Sequence, residues 1–300
     1  MNVLTKLRPD RPTSQRRSLL LDPSQPLWVF LVVGLATIGL YFPVEKKLIY
    51  DWWVNPNYSH GFLIPLFVGF VLWERRERLS ATRVQPTWFG LVIFSGSLVM
   101  LIVGVLGAEI FLSRVSFLMQ IAGLVLLFWG WHWFRLLVFP WALLWLAVPI
   151  PAIIFNQITL PLQLFASTVA ASLLPICGVP VLQDGNIIQL PATTLEVVTA
   201  CSGIRSLVSL ISLAIFYGYI RRRTTSGRWI LVVLSVPIAV GVNSLRVVGT
   251  GLLAQYWGPD KAEGFFHTFA GLIVFVLSMG LLILGDLLVL RVGKTSYRPS

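Results

Sequence analysis

A thiol, three arginines and three histidines are the side chains in this 300-residue chain that could do covalent chemistry in an apolar setting. Cys201 follows Glu196-Val-Val-Thr-Ala and precedes Ser202-Gly-Ile-Arg205, so it falls where a helix should begin, with Thr199 available as a cap. A helix N-terminus and nearby cations favour thiolate over thiol and so make a nucleophile. Arg205, four residues on, shares its helical face. Arg246, with Asn243 one turn before it, lies inside a later apolar run, and His267 opens the last one. A thiol, a guanidinium and an imidazole at one depth supply a nucleophile, an oxyanion stabiliser and an acid/base. Each piece also has a plain reading: a cysteine as small filler, an arginine snorkelling to an interface, a histidine at a span end.

Four further residues belong to this level. Ser59 and His60 open an apolar run, Arg114 lies one turn inside another, and Glu263 precedes His267 by four residues, either holding its ring or standing solvated in a loop. Cys177 lacks a neighbouring cation and reads as filler, with a disulfide to Cys201 as the alternative. His132, between Trp131 and Trp133, belongs to an aromatic belt and is assigned no role. No metal or cofactor is expected.

The elements that must position these groups are membrane helices. Hydrophobic residues make up 56% of the chain and charged ones 12%, with a mean hydropathy of +0.82, more apolar surface than a soluble domain hides. Eight runs are long enough for a hydrocarbon core of about 30 Å: Leu27 to Val44, Tyr58 to Trp73, Trp88 to Gly107, Ile110 to Gly130, Leu136 to Pro151, Cys201 to Ile220, Ile230 to Ala254 and Phe265 to Leu290. The first lacks a small-residue cleavage site after it, so no signal peptide is expected. The fold class is thus an all-α integral membrane protein of about eight transmembrane helices.

The net charge of +11 does not point to nucleic acid. With a cytoplasmic N-terminus, 17 of the 23 Lys and Arg residues fall on the cytoplasmic side and only Lys46, Lys47 and Lys261 outside, as the positive-inside rule favours. Both termini are then cytoplasmic, and Cys201, Arg246 and His267 lie at the outer level. Ala152 to Gly178 is apolar but carries Asn156, Gln157, Pro161 and Gln163. A crossing there would throw Arg221 to Arg228 outward, so an interfacial or re-entrant helix is expected. Asp184-Gly185 between apolar runs predicts a short outer hairpin leading towards Cys201. Residues 1–26 form a basic tail expected to be disordered or to lie on anionic lipid, 27–290 the membrane catalytic domain, and 291–300 a short cytoplasmic tail.

The chain resembles the exosortase/archaeosortase family of membrane transpeptidases at Ala200-Cys201-Ser202-Gly203-Ile204-Arg205-Ser206, Asn243-Ser244-Leu245-Arg246 and His267, and at the early Ser59-His60-Gly61. The resemblance covers roughly Tyr58 to Leu290. It implies Cys201 as nucleophile, Arg246 as stabiliser of the thiolate or transition state, and His267 as acid/base, with Arg205, Ser202, Asn243, His60, Ser59, Glu196, Arg114 and Glu263 in support. Implied substrates are exported proteins ending in a Pro-Glu-Pro-like motif, a hydrophobic helix and a basic cluster. They would pass through a thioester to an acceptor linked to exopolysaccharide or surface assembly, in the inner membrane of a bacterium. Two rival classes stand beside this one: a transporter or lipid-handling protein that needs no thiol, and a structural partner in polysaccharide assembly.

Overall fold

The computed structural model describes the backbone of residues 27–198, 202–221, 224–258 and 265–295, and their side chains except for 27, 265–270 and 289–295. Within these residues the helices are α1 (Leu27–Val54), α2 (Leu63–Ala81), α3 (Phe89–Leu106), α4 (Ile110–Phe128), α5 (Trp131–Leu144), α6 (Ala152–Leu173), α7 (Ile204–Ile220), α8 (Thr225–Trp257) and α9 (Phe265–Thr295). The protein is an all-α membrane protein. Six of its described helices are long and apolar enough to cross a bilayer, with α7 a shorter apolar helix.

Several expected spans differ from the sequence reading. Cys201 to Ile220 becomes helical only at Ile204, after Gly203 in a left-handed conformation, so α7 does not open at Cys201. Tyr58 to Trp73 does not begin as α-helix: Pro56–Phe62 forms a 3₁₀ turn, capped by the Asn55 side chain, which accepts from the Asn57 N–H. Leu136 to Pro151 is cut short, because α5 ends at Leu144 and a single 3₁₀ turn, Trp145–Ala147, follows. Pro149 and Pro151 lack N–H groups and cannot extend a helix. Conversely, α1 runs through Pro43 to Val54, ten residues past the expected end, and takes Lys46 and Lys47 into the helix.

Packing divides the described chain into two units, 27–46 with 68–142 and 47–67 with 143–295. In the first, α3 and α4 form a close hairpin. A Cβ at Gly90 or Gly123 would strike the backbone of the opposite helix, the small-residue contact typical of helices packed in lipid. Its buried polar side chains pair locally, as Ser97 donates to Gln120.

In the second unit α7 and α8 run antiparallel. Gly203, just before α7, faces Asn243, and Gly218 near its other end faces Arg228 and Leu231. At 1.5 Å per residue, α8 therefore continues about 21 Å beyond Asn243 to Trp257. Its far part packs with Ala166 and Ala170 of α6, with Leu174 just after it, and with Ile188 of a small sheet and the adjoining Leu190. That sheet is a three-stranded antiparallel meander, β1 (Leu182–Asp184), β2 (Ile187–Gln189) and β3 (Thr194–Glu196). The β1–β2 turn has Gly185 at φ +61°, matching the hairpin expected from Asp-Gly, and β3 extends it by one strand.

Helix α6 is continuous and counts among the six by length and composition. Its buried face carries Thr159, Gln163 and Ser167, whereas Ile153, Ile154, Leu160 and Phe165 are exposed. This inversion suits a lipid-facing surface, and the Thr159 and Ser167 hydroxyls satisfy themselves on the carbonyls four residues back. Phe155, at its start, packs on Tyr58; at its end Leu174 meets Gly251 and the Tyr256 hydroxyl donates to the Cys177 carbonyl. Both ends of α6 are thus tied near the Gly203–Asn243 level or beyond it, and neither to the basic Arg221–Arg228 end. By length and composition α6 nonetheless stands among the helices able to cross a bilayer, where an interfacial or re-entrant helix was expected.

Candidate functional site

The end of α1 and the 3₁₀ turn that follows it each make a bond that answers a deficit created further along. With the helical path ending at Ala147, the last carbonyls lack N–H partners, and Pro151 cannot supply one to Ala147. Trp52 Nε1–H donates to the Ala147 carbonyl at 2.8 Å, and the His60 ring nitrogen Nε2 lies 3.1 Å from the Leu146 carbonyl. Gly61 is required here because a side chain would overlap the Trp52 indole. Since a carbonyl only accepts, Nε2 carries the proton and Nδ1 is an acceptor. Nδ1 is buried without a protein donor; the nearby Asn57 carbonyl, itself an acceptor, cannot supply one.

The start of α7 is set by Gly203, at φ +82°, a left-handed conformation that costs other residues about 1–2 kcal/mol. A Cβ there would also stand 2.6 Å from the Asn243 side chain. Ser202 is 3% exposed and Asn243 1%, so the chain just after Cys201 is pressed onto α8 one turn before Arg246. The Ser202 hydroxyl accepts from the Ile204 N–H at 3.4 Å, a weak local brace. Arg205, in the first turn of α7, lies close enough to Arg246 for the two charges to repel. Two guanidiniums on neighbouring helices create a field suited to a thiolate or an oxyanion.

The structure thus brings His60, Ser202, Arg205, Asn243 and Arg246 into one unit. Cys201 and Glu263 lie outside the described residues, and of His267 only the backbone is described, in the first turn of α9. Ser59 is exposed, and its hydroxyl donates to the Pro56 carbonyl within its own turn. Glu196 is exposed in β3, opposite Ile187. Arg114 belongs to the other unit, 4% exposed and within electrostatic reach of Glu45. Cys177 is a free, exposed thiol. Among the described residues no three His, Cys, Asp or Glu side chains group as metal ligands would.

His60 lines two cavities. One, of about 170 Å³, is bounded by Ser209 and Ser212 of α7 and Phe275 of α9. The other, of about 230 Å³, reaches from Tyr58 to the first turns of α7. Sequence reasoning passed over Trp52, Gly203 and the cavity wall at 145–150. The two prolines after Ala147, which orphan its carbonyl, and the glycine immediately before an apolar run were the available signals.

A family model described as transmembrane exosortase matches residues 52–284. No curated protein and no solved structure matches the chain. The matched span takes in the 3₁₀ turn with His60, the Gly203–Asn243 contact, Arg246 and the start of α9, and on that extent the chain belongs to the transmembrane exosortase family.

Proposed function

We propose that this protein is a membrane-embedded cysteine transpeptidase that cuts a C-terminal sorting signal from exported proteins and passes them to an acceptor. The observation that carries the reading is the seating of Gly203 against Asn243, beside the guanidiniums of Arg205 and Arg246. It ties the segment bearing Cys201 to the helix bearing Arg246.

In this mechanism the Cys201 thiolate attacks the carbonyl carbon of the scissile peptide. The carbonyl π electrons move to oxygen, and Arg246 stabilises that oxyanion. Collapse breaks the C–N bond, and the leaving amine takes a proton from His267. The substrate remains as a thioester. An acceptor nucleophile then attacks it, giving its proton to His267 and displacing the Cys201 thiolate. Arg205 favours the thiolate, and Asn243 orients the loop that carries it.

Sidedness follows from charge. Asn243 lies 15 residues from Arg228, about 22 Å along α8, so with the basic ends in the cytoplasm the site lies in the outer part of the hydrocarbon layer. A substrate anchored by a hydrophobic helix with its basic cluster inside presents its Pro-Glu-Pro-like motif at this height. The acceptor is a lipid or exopolysaccharide component, and the setting is the inner membrane of a bacterium. Co-expression with a reporter ending in such a signal tests the reading. Processing should require Cys201, and unchanged processing by Cys201→Ala would overturn it.

A further inference from the structure

We infer that the cavity of about 230 Å³ beside the first turns of α7 receives one apolar side chain of the peptide substrate, next to the bond that is cut. The inference rests on the transpeptidase reading and names what that site selects.

Location comes first. One wall is Ile204, Val208 and Ile211, at i, i+4 and i+7 on a single face of α7, beginning three residues after Cys201 in the sequence. A peptide whose carbonyl lies at the start of α7 has its neighbouring side chain within reach of that wall. Size is the second constraint. Ordinary small-molecule sites occupy about 300–1,000 Å³, so this cavity suits a single side chain rather than a whole ligand.

Chemistry is the third. Opposite α7 stand Tyr58, Trp145 and Phe155, and a charged side chain placed among them would lose its hydration without a partner. The walls are also fixed: the 145–147 turn is pinned by Trp52 on the Ala147 carbonyl and by His60 on the Leu146 carbonyl. The polar contributors to the lining include His60 and Asn57. With its Nε2 proton committed to Leu146, His60 offers Nδ1, which is buried and has no protein donor. A peptide N–H of the bound segment is the donor that fits, so the pocket holds an apolar side chain and registers the backbone beside it. The serine-lined cavity on the other side of His60 has only about 170 Å³ and is left to lipid or water.

The test uses the full-length enzyme in membranes. The probes are reporter proteins ending in Pro-Glu-Pro, an apolar helix and a basic cluster, with each residue flanking the motif set in turn to Ala, Val, Leu, Phe or Asp. Processing rates are compared within each enzyme variant, so loss of folded protein cancels. At one flanking position the wild type should prefer Val or Leu over Asp by about 10-fold or more, the scale on which pockets discriminate. Val208→Trp should move that preference to Ala, and Val208→Ala should move it to Phe. Measured per amount of folded enzyme in the membrane, His60→Phe should slow all reporters, and His60→Asn, which restores an acceptor, should recover part of the rate. If processing depends on Cys201 but neither Val208 variant alters the preference, the pocket assignment is overturned and the transpeptidase reading stands. If no reporter is processed in a Cys201-dependent way, both fall.

Discussion

Both units carry arginines in their apolar helices, but Arg114 of the first is buried, whereas Arg246 of the second is half-buried and Arg205 exposed. In the first, Arg114 is almost fully buried with the Glu45 carboxylate close by, and the neighbouring Ser97 and Gln120 bond each other. In the second, a described charge that acts on Arg205 is another guanidinium, that of Arg246, and the His60 ring keeps an acceptor turned to no described protein donor. A buried cation with its carboxylate is a packing solution; two cations together raise the local potential and invite an anion. Burial of an arginine in a membrane helix therefore does not mark a site, whereas the sign of its neighbour does.

Substitutions can break this contrast. Arg246→Ala should cost the largest factor, about 10²–10³ in turnover, the scale of losing one oxyanion donor, with thermal stability little changed. Arg114→Ala should do the reverse: a loss of about 1–3 kcal/mol in thermal unfolding, since Glu45 is only half-buried, with turnover of the folded enzyme close to wild type. A 100-fold fall in turnover for Arg114→Ala would place it in the site after all. Gly203→Ala should come next, at about 1–2 kcal/mol for the left-handed backbone plus displacement of Asn243, read as a roughly 10-fold loss of turnover that Gly61→Ala does not show. Gly61→Ala instead should lower the melting temperature, by an overpacking cost of about 1–3 kcal/mol against Trp52. Ser97→Ala should be mildest, about 0.6 kcal/mol, typical of one hydrogen bond between membrane helices.

Hydropathy made the membrane helices legible, because their lipid-facing surfaces impose long apolar runs. Their boundaries were less so. The 3₁₀ turn at Pro56–Phe62 depends on Gly61 lying under Trp52, a packing contact with no local periodicity. The truncation of α5 was signalled by Pro149 and Pro151, but the apolar content of the segment outweighed them. The third strand, Thr194–Glu196, is only three residues long and exists by pairing with β2. For the site, Asn243 and Arg246 were visible through their spacing on one helix, whereas the helical register expected between Cys201 and Arg205 does not hold, because Gly203 stands between them in a left-handed conformation and α7 begins at Ile204. That Gly203 presses on Asn243, and that a walled cavity adjoins α7, are tertiary facts carried by residues forty or more positions apart. Arg114 was legible through its depth in an apolar run, and that the Glu45 carboxylate lies within its electrostatic reach is again a tertiary fact.

The central claim is that Cys201 becomes covalently joined to substrate. Incubating membranes containing the full-length enzyme with a reporter ending in Pro-Glu-Pro, an apolar helix and a basic cluster, then mapping adducts by mass spectrometry after mild acid quench, tests it directly. The account predicts a hydroxylamine-labile thioester on Cys201 that is absent from Cys201→Ala and accumulates less in Arg246→Ala. Reporter cleavage that persists in Cys201→Ala, or an adduct that maps to another residue, would contradict it.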